Sequence, residues 1–297
     1  MTGNTTNGPA LKSNENDNVF VFFDDHGGDG ILGVPELCGA YIYADELLEV
    51  FQYMYDNKMY KKLFSPITAC YAGSVAKYLN DIPNLYIQTA SGEDESSYAT
   101  MYDSKIGDYL TSEYSLYKDE FIEQNPTGTL GELYEYAKEH TEMSHVQEYG
   151  DLSLKDMTIN EFVGNRDPKP SSRRIRSLYE TTSEVGAKAS LLKKHSKSYT
   201  SLERAEKNVR LSAERACEAR LNEIIDGLRQ KFVPANSHVD FTKSCERINF
   251  PAYRKVLNAV QSRVQVVGET FYEKTFFFSN LCNLVDADLI VSEIEKL

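Results

Sequence analysis

After a polar stretch, five apolar residues follow one another: Val19, Phe20, Val21, Phe22 and Phe23. The run is short, β-branched and aromatic, and predicts a strand buried on both faces. Residues 43–57, YADELLEVFQYMYDN, instead set Leu47, Leu48, Phe51 and Met54 or Tyr55 at helical spacing. LFSPITA, 63–69, predicts a second strand, against which Pro66 counts because proline cannot donate to a ladder. AGSVAKYL, 72–79, suits the start of a helix, and NLYIQTA, 84–90, a third strand. Residues 91–128 read as loop-rich, TLGELYEYAKEHT, 129–141, as helix, and SHVQEYG, 144–150, as strand.

Strand and helix in alternation predict an α/β fold, a parallel sheet flanked by helices. Such sheets gather functional residues just beyond the carboxyl ends of their strands. Those positions hold His26, Cys70 and the segment Ser91 to Ser97. The pattern then breaks at GNRDPKPSSRRI, 164–175, whose prolines and basic residues mark a domain boundary. Beyond it Leu202, Ala205, Val209, Ala213, Ala216, Leu221, Ile224, Leu228 and Phe232 fall close to one face of a long helix. Residues 242–297 offer two or three shorter helices, with FPAYRKVLNAVQSRV and YEKTFFFSNLCNL as their cores.

Charge sharpens this division. The net charge is −13, but residues 1–163 hold 28 acidic and 9 basic residues, whereas 164–297 hold 17 and 23. The acidic part argues against nucleic acid as a partner, and the simplest expectation is that the two parts attract each other. A solvated basic helix with no special partner is the alternative. No apolar run reaches the ~18 residues of a membrane span. The opening MTGNTTNGPALKSNENDN has no apolar core of a signal peptide. Its sequon at Asn4 matters only on a secretory route. Of the five cysteines, Cys38, Cys70, Cys217, Cys245 and Cys282, none forms a C-x-x-C pair, and neither a metal nor a cofactor is expected. An odd count leaves at least one thiol free.

The strand ends carry chemistry. A thiol nucleophile needs a base, and imidazole suits the pH range. It also needs donors for the oxyanion of a tetrahedral intermediate, which glycine-rich backbone supplies without obstruction. DHGG offers the base His26 and the N–H of Gly27; ACYAG offers the thiol of Cys70 followed by small residues. The interval of 44 residues from His26 to Cys70 is near the ~50 of caspases. Each residue taken alone also fits a structural role, a buried cysteine especially.

VFVFFDDHGGDGILGVPE, YMYDNKMYKKLF, ITACYAGSV, ESSYATMYD and MSHVQEYGD resemble, in order, the legumain family of asparaginyl endopeptidases, or vacuolar processing enzymes, of the caspase-like clan. The resemblance runs through most of 18–165, and continues weakly over 240–285 with the family's C-terminal prodomain. It implies a lysosomal or vacuolar cysteine endopeptidase that cleaves protein substrates after Asn, and after Asp at lower pH, with no cofactor. It assigns His26 as general base, Cys70 as nucleophile and Gly27 as oxyanion donor. Ser96, Ser97 and Tyr98 would line the substrate cleft. Cys245 and Cys282 match one prodomain disulfide, with two reduced thiols as the alternative. The expected organisation is a disordered tail over 1–17, a partial caspase-like domain over 18–163, a linker or activation segment over 164–200, and an all-α, death-domain-like prodomain over 201–297. The basic prodomain would cap the acidic domain until acid protonates the carboxylates that hold it. Asn165 and Asn208 are possible sites for its release.

The sequence also departs from the family. The family places further strands, a triad asparagine and a specificity arginine ahead of the His-bearing strand, where this sequence has a short polar stretch, so the domain is expected to be N-terminally incomplete. Thr68 stands where the family's pocket has glutamate, and Ser112, beside Glu113, where it has aspartate. A pocket without these groups loses the polar pairing that selects an amide side chain, typically worth factors of ~10⁴. Two other readings therefore stand beside the peptidase. One is a catalytically impaired homologue that binds or regulates. The other is a relative of the peptidase-like subunit of the lipid-anchor transamidase, against which the helical tail counts.

Overall fold

A computed structural model describes residues 1, 10–34, 41–103, 108–165, 167, 182–183, 201–264 and 269–297. The chain divides into two compact units, Met1–Ala187 and Lys188–Leu297. The Asn4 sequon, Cys38 and most of the expected linker over 164–200 lie outside the described residues.

In the first unit the run Val19–Phe23 becomes two short strands, β1 (Asn18–Phe20) and β2 (Phe23–Asp24), rather than one. Proline explains the break. Between the small strands β3 (Gly27–Gly28), β4 (Ile31–Gly33) and β5 (Tyr41–Tyr43) and the central strand β6 (Lys62–Thr68) lies helix α1 (Ala44–Asp56). β6 pairs in parallel with both β1 and β2. The carbonyls of Phe64 and Thr68 accept from Val21 and Asp25 on that side. Backbone groups alternate sides along a strand, so Pro66, midway between them, turns its missing N–H toward the gap at Val21–Phe22. The proline therefore sits inside β6 after all, at the cost of one rung.

β7 (Leu85–Thr89) pairs in parallel with β6 on its other side, and β10 (Gln147–Gly150) closes the order β1–β6–β7–β10 in antiparallel register. The region over 91–128, expected to be loop-rich, contains a hairpin, β8 (Tyr98–Asp103) with β9 (Asp108–Ser112), and a helix, α3 (Glu113–Gln124). A two-residue strand, β11 (Thr182–Ser183), pairs antiparallel with Ala99 and Tyr98 of β8, so part of the expected linker is strand.

Burial follows the parallel-sheet rule. β7 is buried throughout and β6 everywhere but its first residue. One core gathers Phe64 and Tyr86 of the sheet with Phe121 and Ile122 of α3, Leu130 and Leu133 of helix α4 (Leu130–His140), and Leu154 and Ile159. Thr129 starts α4 where the sequence predicts, through a capping box: its hydroxyl accepts from Glu132 N–H at 3.1 Å, and Glu132 Oε2 accepts from Thr129 N–H at 2.8 Å. A five-residue helix, α2 (Ala72–Ala76), precedes the 3-10 turn Lys77–Leu79. A short helix, α5 (Asn160–Val163), follows α4, and Phe162 meets the Phe64 ring edge-on at 5.9 Å. The tail expected to be disordered is tied down over its last residues. Ser13 Oγ donates to Met59 O at 2.5 Å, and Asn14 N–H to Asp17 Oδ2 at 2.8 Å. Asn and Asp fold such turns with their own side chains.

The second unit is helical: α6 (Ser201–Phe232), α7 (Phe250–Arg263), α8 (Glu269–Leu284) and α9 (Ala287–Ile294). Leu221, Ile224 and Leu228 of α6 are buried as expected, but Val209 is 70% exposed and Ala213 and Ala216 are exposed. Length accounts for this. At ~1.5 Å per residue α6 spans ~48 Å, twice the ~24 Å of α8, so its first half outruns the helices it packs against within this unit. Cys245 and Cys282 are free thiols, not the expected disulfide. Cys245 Sγ donates to Arg247 O at 3.3 Å and accepts from Asn283 at 3.4 Å. Burial, with nearby Cys245, pushes the Cys282 thiol up to about 12.

Candidate active site

Three parallel strands end together, and each hands the chain to a tightly held turn. At the end of β2, Asp25 Oδ1 accepts the N–H of His26 at 2.7 Å, while His26 O accepts from Gly33 N–H at 2.7 Å. The main chain of His26 is thus fixed on both sides. DHGGDGIL folds as a β3–β4 hairpin, with Asp29-Gly30 at its tip and Gly30 at φ +69°. That Asp-Gly between strand-forming residues is a hairpin signal that the strand-and-helix pattern above does not use. Gly30 N–H donates to Ser74 Oγ at 2.9 Å, which ties the hairpin to α2.

At the end of β6, Cys70 is followed by Tyr71 in the left-handed region, φ 57° and ψ 24°. A non-glycine residue there marks strain held by its surroundings. Those surroundings come from the third strand end. Tyr71 N–H donates to Glu95 O at 2.8 Å. Ser91 Oγ donates to Ala69 O at 2.9 Å and accepts from Ala72 N–H at 3.2 Å, bracketing Cys70 in the chain. Ser97 N–H donates to Cys70 Sγ at 3.3 Å, and Sγ in turn lies 3.7 Å from Ser97 O. Cys70 is 3% exposed and Ser97 1%.

The histidine-bearing hairpin lies directly on the cysteine. A Cβ on Gly27 would fall 2.3 Å from the carbonyl oxygen of Cys70 and 3.0 Å from Ala69 Cβ. Gly27 is therefore required by close approach. Gly73, one of the small residues after Cys70, is required by packing. A Cβ there would meet Tyr149 Oη at 2.6 Å and the N of Glu93 at 2.8 Å, so its size serves packing.

The residues expected to bind substrate divide. Ser96 is half-buried, with Oγ 3.4 Å from Tyr71 Oη, and Tyr98 is half-buried at the start of β8. Thr68 and Ser112 are buried and converge on Ser115, a residue that no motif in the sequence singles out. Ser112 Oγ caps α3 by accepting Ser115 N–H at 3.0 Å. Ser115 Oγ donates to Asp24 Oδ2 at 2.9 Å, and Thr68 Oγ1 lies 2.9 Å from Ser115 Oγ. An ionised carboxylate only accepts, so the order of donation runs Thr68 to Ser115 to Asp24. Burial pushes the Asp24 carboxyl above its ordinary value, against the lowering pull of the Ser115 bond and Lys118.

Glu113 does not reach this network. Its carboxylate accepts Met143 N–H at 3.0 Å, and burial raises its pKa. The folded chain then holds the Glu113 proton more tightly than the unfolded chain, so stability from this group is lost as pH rises through the raised pKa. Glu113→Gln keeps the acceptor and removes the charge. Between about pH 4 and about pH 7 the wild type should lose more stability than this variant, read from melting temperatures across that range.

Among the described residues no cluster of three or more His, Cys, Asp or Glu could hold a metal ion, and no helix is long and apolar enough to cross a membrane.

The Peptidase C13 family profile matches residues 1–165. Legumain from Mus musculus is 40% identical over 159 residues, which cover 53% of this chain and 36% of that protein. Legumain from Bos taurus is 35% identical over 217 residues, 72% of this chain and 49% of its own length. The vacuolar-processing enzyme of Citrus sinensis is 35% identical over 179 residues, 55% and 35%. The chain spans about a third to a half of the length of these relatives.

Proposed function

Taking as premise that the chain belongs to the Peptidase C13 family, we propose that it is a cysteine endopeptidase acting on protein substrates. Cys70 Sγ attacks the scissile carbonyl, His26 takes the thiol proton and returns it to the leaving amine, and the Gly27 N–H holds the oxyanion. Water then hydrolyses the acyl-enzyme. The observation that carries this reading is the contact of the hairpin bearing His26 and Gly27 with the backbone of Cys70.

The resemblance adds cleavage after Asn, and after Asp at lower pH, and a lysosomal or vacuolar setting, which the names of the relatives favour. The hold of a basic C-terminal part on an acidic N-terminal part belongs to the same proposal and rests on charge balance. The test is turnover of peptides differing only in the residue before the cleaved bond, at acid and neutral pH. Turnover after Asn should fall at least ~10³-fold in Cys70→Ala and in His26→Ala. Equal turnover in all three proteins overturns the reading.

One observation favours a second reading, a binding homologue without activity. The hydroxyls of Thr68 and Ser112, which stand at the family's acidic pocket positions, are engaged by Ser115 within the protein. Peptide binding without turnover in the same panel would select it.

A further inference from the structure

The segment Ser91–Ser97 holds an acidic side chain that the peptidase reading does not use. Glu95 Oε1 accepts Gly92 N–H at 2.7 Å and His145 N–H at 2.9 Å, and Glu95 Oε2 lies 2.8 Å from His145 Nδ1. The same residue's carbonyl accepts Tyr71 N–H at 2.8 Å, next to the nucleophile. Two residues later, Ser97 N–H reaches Cys70 Sγ. A single side chain therefore closes the turn at Gly92, joins it to the segment leading into β10, and fixes the stretch that touches the thiol.

We propose that Glu95 is a positioning residue for Cys70, with His145 as its anchor on the neighbouring segment. This rests on the peptidase reading and extends it. Three donors converge on one carboxylate, and the stretch they hold bonds to Tyr71 N–H, next to the nucleophile, and to Cys70 Sγ itself. Without them, the Glu95 carbonyl that accepts from Tyr71 N–H is no longer held in place. The Ser97 N–H then drifts from the sulfur. Misplacement of ~1 Å costs about 100-fold in such sites.

The chemistry of the pair sets a test that mere structural support would not pass. A carboxylate accepts from His145 Nδ1 whether the imidazole is neutral or protonated. Glutamine in its place keeps the acceptor for both backbone N–H groups. Its amide donates to a neutral Nδ1 but meets a second donor once His145 is protonated. Other groups facing this corner are Glu93, paired with Lys77 at 2.7 Å, and Tyr149, whose hydroxyl feels both Glu93 and Glu95. Burial, with Glu93 and Glu95, pushes Tyr149 up to about 12, so it stays neutral between about pH 5 and about pH 8 and adds no pH dependence there.

The experiment is the rate of Cys70 alkylation by iodoacetamide, read by mass spectrometry on the full chain with Cys217 as internal reference. Glu95→Ala should slow Cys70 by about 10-fold to 100-fold at both about pH 8 and about pH 5. Glu95→Gln should match the wild type at about pH 8 and fall several-fold behind it at about pH 5, where Nδ1–H and the new amide both donate. Should Glu95→Ala fail to fold, the ratio of Glu95→Gln to wild type at the two pH values decides alone. A Cys70 rate unchanged in Glu95→Ala, or a Glu95→Gln ratio that is the same at both pH values, overturns the proposal. A wild-type Cys70 that reacts no faster than Cys70 in His26→Ala overturns the peptidase reading instead, and this proposal with it.

Discussion

Gly27→Ala should lower peptide turnover by about 100-fold to 1,000-fold, the loss that follows removal of one oxyanion donor. The added Cβ has nowhere to go. It would sit 2.3 Å from the Cys70 carbonyl oxygen and 3.0 Å from Ala69 Cβ, and the first of these is backbone. Either the β3–β4 hairpin lifts, taking His26 and the Gly27 N–H with it, or the end of β6 retreats and takes the thiol. Both outcomes separate the base from the nucleophile. The hairpin is also pinned by Gly33 N–H on His26 O and by Gly30 N–H on Ser74 Oγ, so it cannot tilt freely. The check is turnover measured beside a melting curve. A folded Gly27→Ala protein with wild-type turnover would show that the hairpin does not contribute to the chemistry.

Thr68→Glu restores the residue type that the resembled family carries, and it should damage this protein. Thr68 is fully buried, and its hydroxyl donates to Ser115, which in turn donates to Asp24. A carboxylate at position 68 accepts only, and the one proton of Ser115 is committed to Asp24. The new charge would be buried without a donor beside a second acid. Such placements cost about 3 kcal/mol or more, a fall in Tm of roughly 6–12 °C for a unit of this size. Adding Asp24→Asn frees the Ser115 proton for the introduced carboxylate, so the double variant should recover part of the loss. Melting temperatures of the four proteins form the cycle. Additive losses would contradict the donor order.

The parts of the fold legible in the sequence are those with strong local periodicity. α1 and α4 are readable from apolar spacing, and β7 from the apolar Leu85, Tyr86 and Ile87 that open it. β6 is readable despite Pro66 because the penalty of that proline falls on a neighbour, where it splits β1 from β2. The β8–β9 hairpin and α3 are not. β8 is only partly buried, so its sequence lacks a clean alternation, and Ser112 caps α3 without a following apolar stripe to announce the helix. In the long helix α6 the periodicity is present but Val209, Ala213 and Ala216 on that face are exposed, since a face predicts burial only where something covers it.

The candidate site divides in the same way. His26, Gly27 and Cys70 can be placed from strand ends because parallel sheets direct those ends to one place. The segment Ser91–Ser97 can be placed in the same way, but not what Ser91 and Glu95 do within it, and Ser115 cannot be placed at all. Each acts through hydrogen bonds to residues many positions away, such as Ser115 to Asp24 and Glu95 to His145, and neither period nor spacing encodes them.

The most direct test of the central claim is covalent. A short peptide ending in an asparagine chloromethyl ketone is incubated with the wild type and with His26→Ala at about pH 5, and the adduct is located by tandem mass spectrometry. A single thioether on Cys70 is expected in the wild type, with a rate at least ~100-fold lower in His26→Ala. Labelling of Cys70 at equal rates in both proteins, or labelling of Cys217 in preference, would contradict the claim.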